Sequence, residues 1–333
     1  MIHLACTLGV VLLACARRPS EAELARWRRE AQRQNAASLA RHARAETLAD
    51  WALVVSGETR SRAPWRSTLA ELARGPTTVL RTRTPFQNTA PVPEFNFRGI
   101  SVATLLDRVG VADGVTEVTF LAYDGYFVTV PLDDLRHFPI MLAFERNGSP
   151  LARADGGPIL LVFPHTSHPE TLPRFAENFW CFYVTDVILG SSEPEVTVAG
   201  RTFRAADLAA LPQTSIDVRV GYRLRWPAGR VRLGGVRVRD LLAAANVAVT
   251  PTSIVRVRDR SVVDRDLSHA NRLDGDDVLR HDALVVLRYG DPPRPIPTSL
   301  GGPVTLGIPE DIPDPGQRIR WTVMVRGIEV QTP

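Results

Sequence analysis

The chain has 333 residues, 44% apolar and 23% charged, which suits about two ordinary domains with a sizeable core and excludes a disordered polymer. All 40 residues of the Lys and Arg class are Arg, which excludes Schiff-base or phosphate chemistry that depends on Lys. The net charge of +4 is scattered, against a nucleic-acid partner, and the three cysteines leave the body with no disulfide or cysteine-rich metal cluster.

Residues 2–14 form an apolar run followed by Arg17 and Arg18. A bilayer span needs about 20 residues, so the run has the length of a signal-peptide core instead. Its end, Leu12-Leu13-Ala14-Cys15, resembles the bacterial lipobox. That resemblance implies lipidation at Cys15 and places the protein in the bacterial cell envelope, held to the membrane by its N-terminal lipid and facing the periplasm or the cell surface. The segment ahead of the run carries only His3, where signal peptides are positively charged. Residues 1–15 are therefore read as a lipoprotein-type signal and 16–50 as a helical tether. Ser20 and Glu23 form a capping box there, with Leu24, Trp27 and Ala31 at helical spacing.

The remainder is written twice, as 51–191 and 192–333. Gly99-Ile100-Ser101-Val102 with Leu105-Leu106 recurs as Gly235-Val236-Arg237-Val238 with Leu241-Leu242. Gly156-Gly157-Pro158 with Pro164 recurs at identical spacing as Gly301-Gly302-Pro303 with Pro309. Strands are expected at 52–55, 118–123, 140–144 and 180–189, and again at 196–199, 254–258, 283–287 and 321–330. Each Leu pair belongs to a short amphipathic helix. The 26 Pro and 23 Gly agree with a strand-rich, loop-rich body, α+β but dominated by β.

The first repeat resembles the molybdopterin-binding domain of the sulfite oxidase family. Phe97-Arg98-Gly99-Ile100, Tyr123-Asp124-Gly125-Tyr126, Leu142-Ala143, Asn147-Gly148 and Gly157-Pro158 carry the resemblance. The second repeat matches more weakly, and Asp259-Arg260-Ser261 stands where the Asp-Gly-Tyr triplet is expected. The implied fold is a tandem pair of such domains. In the family a cysteine thiolate holds molybdenum from the segment before the Gly of the Leu-Leu helix. Here that segment, 79–89, contains no Cys, and neither does 218–226. A soft thiolate suits molybdenum and Thr hydroxyls are poor substitutes. Cys181 reads as a core thiol in the closing strand. No basic residue opens that strand, and the Arg pair follows the apolar run, whereas an exported folded molybdoenzyme carries twin Arg before it.

The resemblance makes Arg81, Arg83, Thr84, Asp124, Gly125, Tyr126 and His165 the candidate cofactor-binding residues. Arg81 and Arg83 could clamp a phosphate or carboxylate, or could form the outward face of an edge strand. Tyr126 and Phe86 would line a remnant pocket. His165 and His168 are weak metal candidates, two imidazoles in one loop, though Pro164 and Pro169 argue against helical spacing. Asp274-Gly275-Asp276-Asp277 lacks the spacing of a calcium loop and reads as a polar turn. The expected function is a membrane-anchored envelope protein that has lost molybdenum catalysis, carries no cofactor, and serves ligand binding or protein assembly. The alternatives are a molybdopterin-dependent oxidoreductase with non-cysteine ligation, or a subunit of a larger envelope complex.

Overall fold

In the computed structural model, the described residues are 26, 51–86, 91–220, 225–260, 272–312 and 321–331. The expected signal, Cys6, lipidation site Cys15 and nearly all of the 16–50 tether lie outside them, as do Ser261 and parts of the 79–89 and 218–226 segments. Both repeats belong to one compact unit, Thr47–Pro333.

The first repeat runs β1 (Ala52–Gly57), β2 (Trp65–Thr68), α1 (Leu69–Arg74), β3 (Thr78–Arg83), β4 (Glu94–Ser101), α2 (Val102–Val109), β5 (Glu117–Ala122), β6 (Phe127–Pro131), α3 (Leu132–His137), β7 (Met141–Arg146), β8 (Ser149–Pro150), β9 (Leu160–Val162), α4 (Thr171–Arg174) and β10 (Val184–Leu189). The second runs β11 (Glu195–Val198), β12 (Arg201–Arg204), α5 (Ala205–Ala210), β13 (Gln213–Arg219), β14 (Arg230–Arg237), α6 (Val238–Ala244), β15 (Ile254–Arg258), β16 (Arg272–Asp274), α7 (Gly275–Arg280), β17 (Leu284–Tyr289), β18 (Arg294–Pro295), β19 (Thr305–Gly307) and β20 (Gly327–Gln331).

The sheets confirm the duplication. The first repeat has β2-β1-β10-β5-β6 and β3-β4-β7-β8, with β9 also on β7; the second has β12-β11-β20-β15-β16 and β13-β14-β17-β18, with β19 also on β17. β1 pairs with β10, and β11 with β20, in parallel. The fold is the expected β-dominated tandem pair. The Leu pairs sit on α2 and α6 and are wholly buried, because their helical spacing turns one face to the core.

The recurring Gly of the Gly-x-x-Val motif has a steric cause. In both repeats the strand register slips just before it, between Arg98 and Gly99 and between Gly234 and Gly235. There the neighbouring strand passes so close that a Cβ on Gly99 would lie 2.1 Å from the Leu142 carbonyl oxygen, and one on Gly235 2.0 Å from that of Val285.

Three expectations need correction. The closing strands are shorter than expected, beginning at Val184 and Gly327 rather than Trp180 and Trp321. Tyr183 (φ 56°) and Met324 (φ 50°) adopt the left-handed region, which interrupts an extended chain. Residues 181–184 bond instead to 156–161: the Leu161 N–H donates to the Cys181 carbonyl, and the Tyr183 N–H to that of Gly156. Asp274 is the N-cap position of α7 rather than part of a free turn. The sheet registers also move the match between repeats by two residues. Val187 faces Phe120 and Ile328 faces Val257, so Phe120 corresponds to Val257, and Asp124 to 261 rather than to Asp259.

The repeats touch through the outer face of the first sheet. Leu121 and Phe127 pack with Met324, with Val323 at the margin, and Arg225 donates to the Thr129 carbonyl at 3.5 Å. Burial there raises the Asp186 carboxyl above its usual range, against the Thr185 hydroxyl and the charges of Arg260 and Arg326.

The close approach of the neighbouring strand predicts a sharp contrast between adjacent glycines. Gly235→Ala should cost at least about 3 kcal/mol in urea denaturation, since a backbone oxygen must move. Gly234→Ala, whose added Cβ meets nothing closer than the Thr214 oxygen at 3.9 Å, should change stability by less than about 1 kcal/mol. Equal effects would contradict the close-approach account.

Candidate functional site

The sequence candidates gather around one end of the first repeat, though not as a single cluster. β3 is an edge strand of its sheet. Its inward Thr82 is fully buried and donates to the Phe163 carbonyl at 3.0 Å, while the Arg83 N–H donates to the Thr166 hydroxyl at 3.0 Å. These bonds fasten β3 to the loop that follows β9. Arg81 points outward on an exposed side chain and pairs with Glu94 at 2.7 Å. Of the two Arg candidates, only Arg83 turns toward His165, and its buried Nε has no hydrogen-bond partner. Thr84 is buried beside it in sequence.

His165 is fully buried, and both ring nitrogens are engaged. The Trp180 indole N–H donates to Nε2 at 3.1 Å. Nε2 must therefore be the bare nitrogen, and the proton sits on Nδ1, which donates to the Thr171 hydroxyl at 2.9 Å. That hydroxyl donates in turn to the His168 carbonyl at 2.6 Å. Every donor in this chain has one acceptor, provided the imidazole is neutral. Burial, followed by the Arg83 charge, lowers the His165 pKa to about 4, with a backbone contact at Phe175 working the other way. Phe163 stacks parallel to the ring, with centroids 6.0 Å apart.

His168 is separate. Its Nδ1 bonds the Ser167 hydroxyl at 2.9 Å and its ring lies against Phe138. The two imidazoles thus engage different partners, and among the described residues no group of three or more His, Cys, Asp or Glu could hold a metal ion.

Asp124, Gly125 and Tyr126 form the turn between β5 and β6. Asp124 Oδ1 accepts the Tyr126 N–H at 3.0 Å, and Gly125 has φ 83°. The motif thus builds a hairpin tip. The half-exposed Tyr126 hydroxyl donates to the Asn178 carbonyl, which ties that tip to the segment leading into Trp180. Phe86, 45% exposed, meets Trp180 and Phe182 edge-on, with centroids 5.8 and 5.2 Å away. The end of β3, the hairpin tip and the 163–168 loop are therefore joined through the 178–182 segment.

Two features escaped the sequence reading. One is the Trp180 indole as the partner that fixes His165. The other is Arg153, whose guanidinium lies over Trp51, Tyr123 and Tyr183 at 4.8, 4.4 and 5.2 Å, with Nη1 buried and lacking a hydrogen-bond partner. Nothing in the spacing of Arg153 marks it, since its three aromatic partners come from distant segments.

Residues 41–168 match the family described as the oxidoreductase molybdopterin binding domain. That stretch is 128 of the 333 residues, and over it the chain is similar to the family. The matched span includes every candidate from Arg81 to His168 and ends before Trp180. A relative in Bacillus subtilis (strain 168), the uncharacterized oxidoreductase YuiH, is 32% identical over 69 residues, which is 21% of this chain and 35% of that protein. The match thus spans about a third of the relative's length. The sulfane dehydrogenase SoxCD of Paracoccus pantotrophus aligns over 65% of this chain and 58% of that chain, at 16% identity and a TM-score of 0.36.

The family implies a molybdenum–pterin cofactor, and the metal half of that group does not fit these residues. The corresponding segment offers Thr82 and Thr84 where a thiolate is needed, and Thr82 already bonds the Phe163 carbonyl. Cys181, the free thiol of the described body, is fully buried; its sulfur lies 3.7 Å from the Phe120 carbonyl, and burial raises its pKa, with Asp124 adding to the effect. A buried thiol held protonated is not a metal ligand. The unpartnered Arg83 Nε does suit an anionic group at the outer end of the site.

The His165 chain predicts a pH dependence. The unfolded imidazole takes up its proton near 6.5 and the folded one near 4, so the folded state loses stability as pH falls from 6.5 towards 4. Urea titrations of wild type and His165→Asn should show that loss shrinking in the variant. At pH 7, Trp180→Phe should cost about 1–3 kcal/mol, because Nε2 is left buried without a donor. A wild type and His165 variant with the same pH slope would refute the assignment.

Proposed function

We propose that this chain is a bacterial envelope lipoprotein that retains the molybdopterin-domain frame as a binding or assembly module, without molybdenum catalysis. The carrying observation is the chemistry of the expected ligand position, where no thiolate is available and the imidazole nearby is held neutral inside its own hydrogen-bond chain. What is retained suits binding. Arg83 offers a buried, unpartnered N–H, and Phe86 offers an exposed ring beside Trp180 and Phe182. A planar ligand with a carboxylate or phosphate arm fits that pair. The Leu12-Leu13-Ala14-Cys15 run supports a lipid anchor on the envelope.

The test is molybdenum and pterin content after expression in a molybdenum-competent host. Elemental analysis should find molybdenum far below one atom per chain, and oxidised extracts should lack pterin fluorescence. Near-stoichiometric molybdenum would overturn the reading. Separately, Cys15→Ala should move the protein from the membrane fraction to the soluble one; a variant that stays with the membrane would remove the lipid anchor from the proposal.

A further inference from the structure

The outer face of the sheet β12-β11-β20-β15-β16 carries two arginines that form no ion pair among the described residues, and we propose that Arg256 and Arg272 form an oxyanion-binding site. On β15, Val255 and Val257 enter the core, as does Leu273 on β16. Arg256 and Arg272 therefore lie on the opposite face. The register sets them directly across from each other. Like charges in that position repel, since facing Cβ atoms lie about 5 Å apart.

The carboxylate that faces Arg256 is already committed. Glu329 faces Arg256 from β20, but both its oxygens bind Arg258: Nε to Oε1 at 2.7 Å and Nη2 to Oε2 at 2.9 Å. Among the described residues neither Arg256 nor Arg272 forms an ion pair, and the Nε atom of each is buried without a hydrogen-bond partner. Two buried donors on adjacent guanidinium groups are the arrangement that a bidentate oxyanion satisfies.

The other repeat supplies the comparison. Register places Thr119 where Arg256 stands and Thr129 where Arg272 stands. Those threonines are buried and bond each other at 2.8 Å, with no charge to neutralise. The shared backbone therefore does not require cations here, and the arginine pair belongs to the second repeat alone. The ligand class is a phosphate or carboxylate group.

The test uses the full chain in chloride buffer, with inorganic phosphate or acetate added at constant ionic strength. Thermal melting should rise saturably with at least one of them, and calorimetry should give one ion per chain. Whichever anion saturates at lower concentration identifies the head group. Arg256→Gln and Arg272→Gln should each weaken binding by at least about tenfold, while Arg230→Gln, whose partner is Glu310, should leave it unchanged. The double variant Arg256→Thr with Arg272→Thr installs the first repeat's pair; it should melt no lower than wild type in chloride and lose the anion response. A wild type indifferent to both anions, or a double variant that still responds, would overturn the proposal.

Discussion

A chain of hydrogen bonds from the Trp180 indole through His165 and Thr171 to the His168 carbonyl determines how the first repeat closes. It joins three stretches that no β-ladder connects: the segment before β10, the loop after β9 and the start of α4. It works only with a neutral imidazole carrying its proton on Nδ1. That requirement rests on burial, and the Arg83 charge reinforces it. The same geometry that makes His165 a sound structural element disqualifies it as a metal ligand, because Nε2 is occupied by a donor and Nδ1 is itself a donor.

The two repeats show which constraints belong to the backbone and which to the side chains. Gly99 and Gly235 persist because a neighbouring strand leaves no room for a Cβ. Gly156 and Gly301 persist at φ 89° and 85°, beneath Phe182 and Val323 respectively. Tyr183 and Met324 share a left-handed conformation. Around this common frame the polar chemistry has diverged. The Arg83 N–H is caught by Thr166, while the Arg219 N–H in the matching strand is caught by Glu310, which also binds Arg230. Arg153 sits among three aromatic rings, and the corresponding Thr298 has a buried hydroxyl with no partner. The two repeats thus share a backbone frame but not its polar side-chain contacts, and a binding role for one repeat carries no implication for the other.

Much of the fold was legible in the sequence because duplication doubles the signal. Glycine spacings repeated in the same order located the strands, and the Leu pairs located α2 and α6. The closing strands were drawn too long, because apolar residues 180–189 look continuous and nothing marks Tyr183 as left-handed. The match between repeats slipped by two residues because both stretches end in an Asp; only hydrogen-bond register distinguishes them. At the candidate site, Arg83 and His165 were found through the family resemblance. The roles of Trp180 and Arg153 were not, since each depends on contacts between segments that sequence spacing does not relate. The Asp124-Gly125-Tyr126 triplet, a cofactor-binding candidate by resemblance, builds a hairpin tip, a role its sequence does not distinguish from binding.

The most direct test of this account is the protonation state of His165, followed by nitrogen-15 NMR of histidine-labelled protein across a pH series. The account predicts a neutral imidazole with its proton on Nδ1, unchanged through pH 6.5 and titrating only near 4. A resonance that titrates near 6.5, or one with the proton on Nε2, would contradict the closed hydrogen-bond chain and reopen His165 as a ligand.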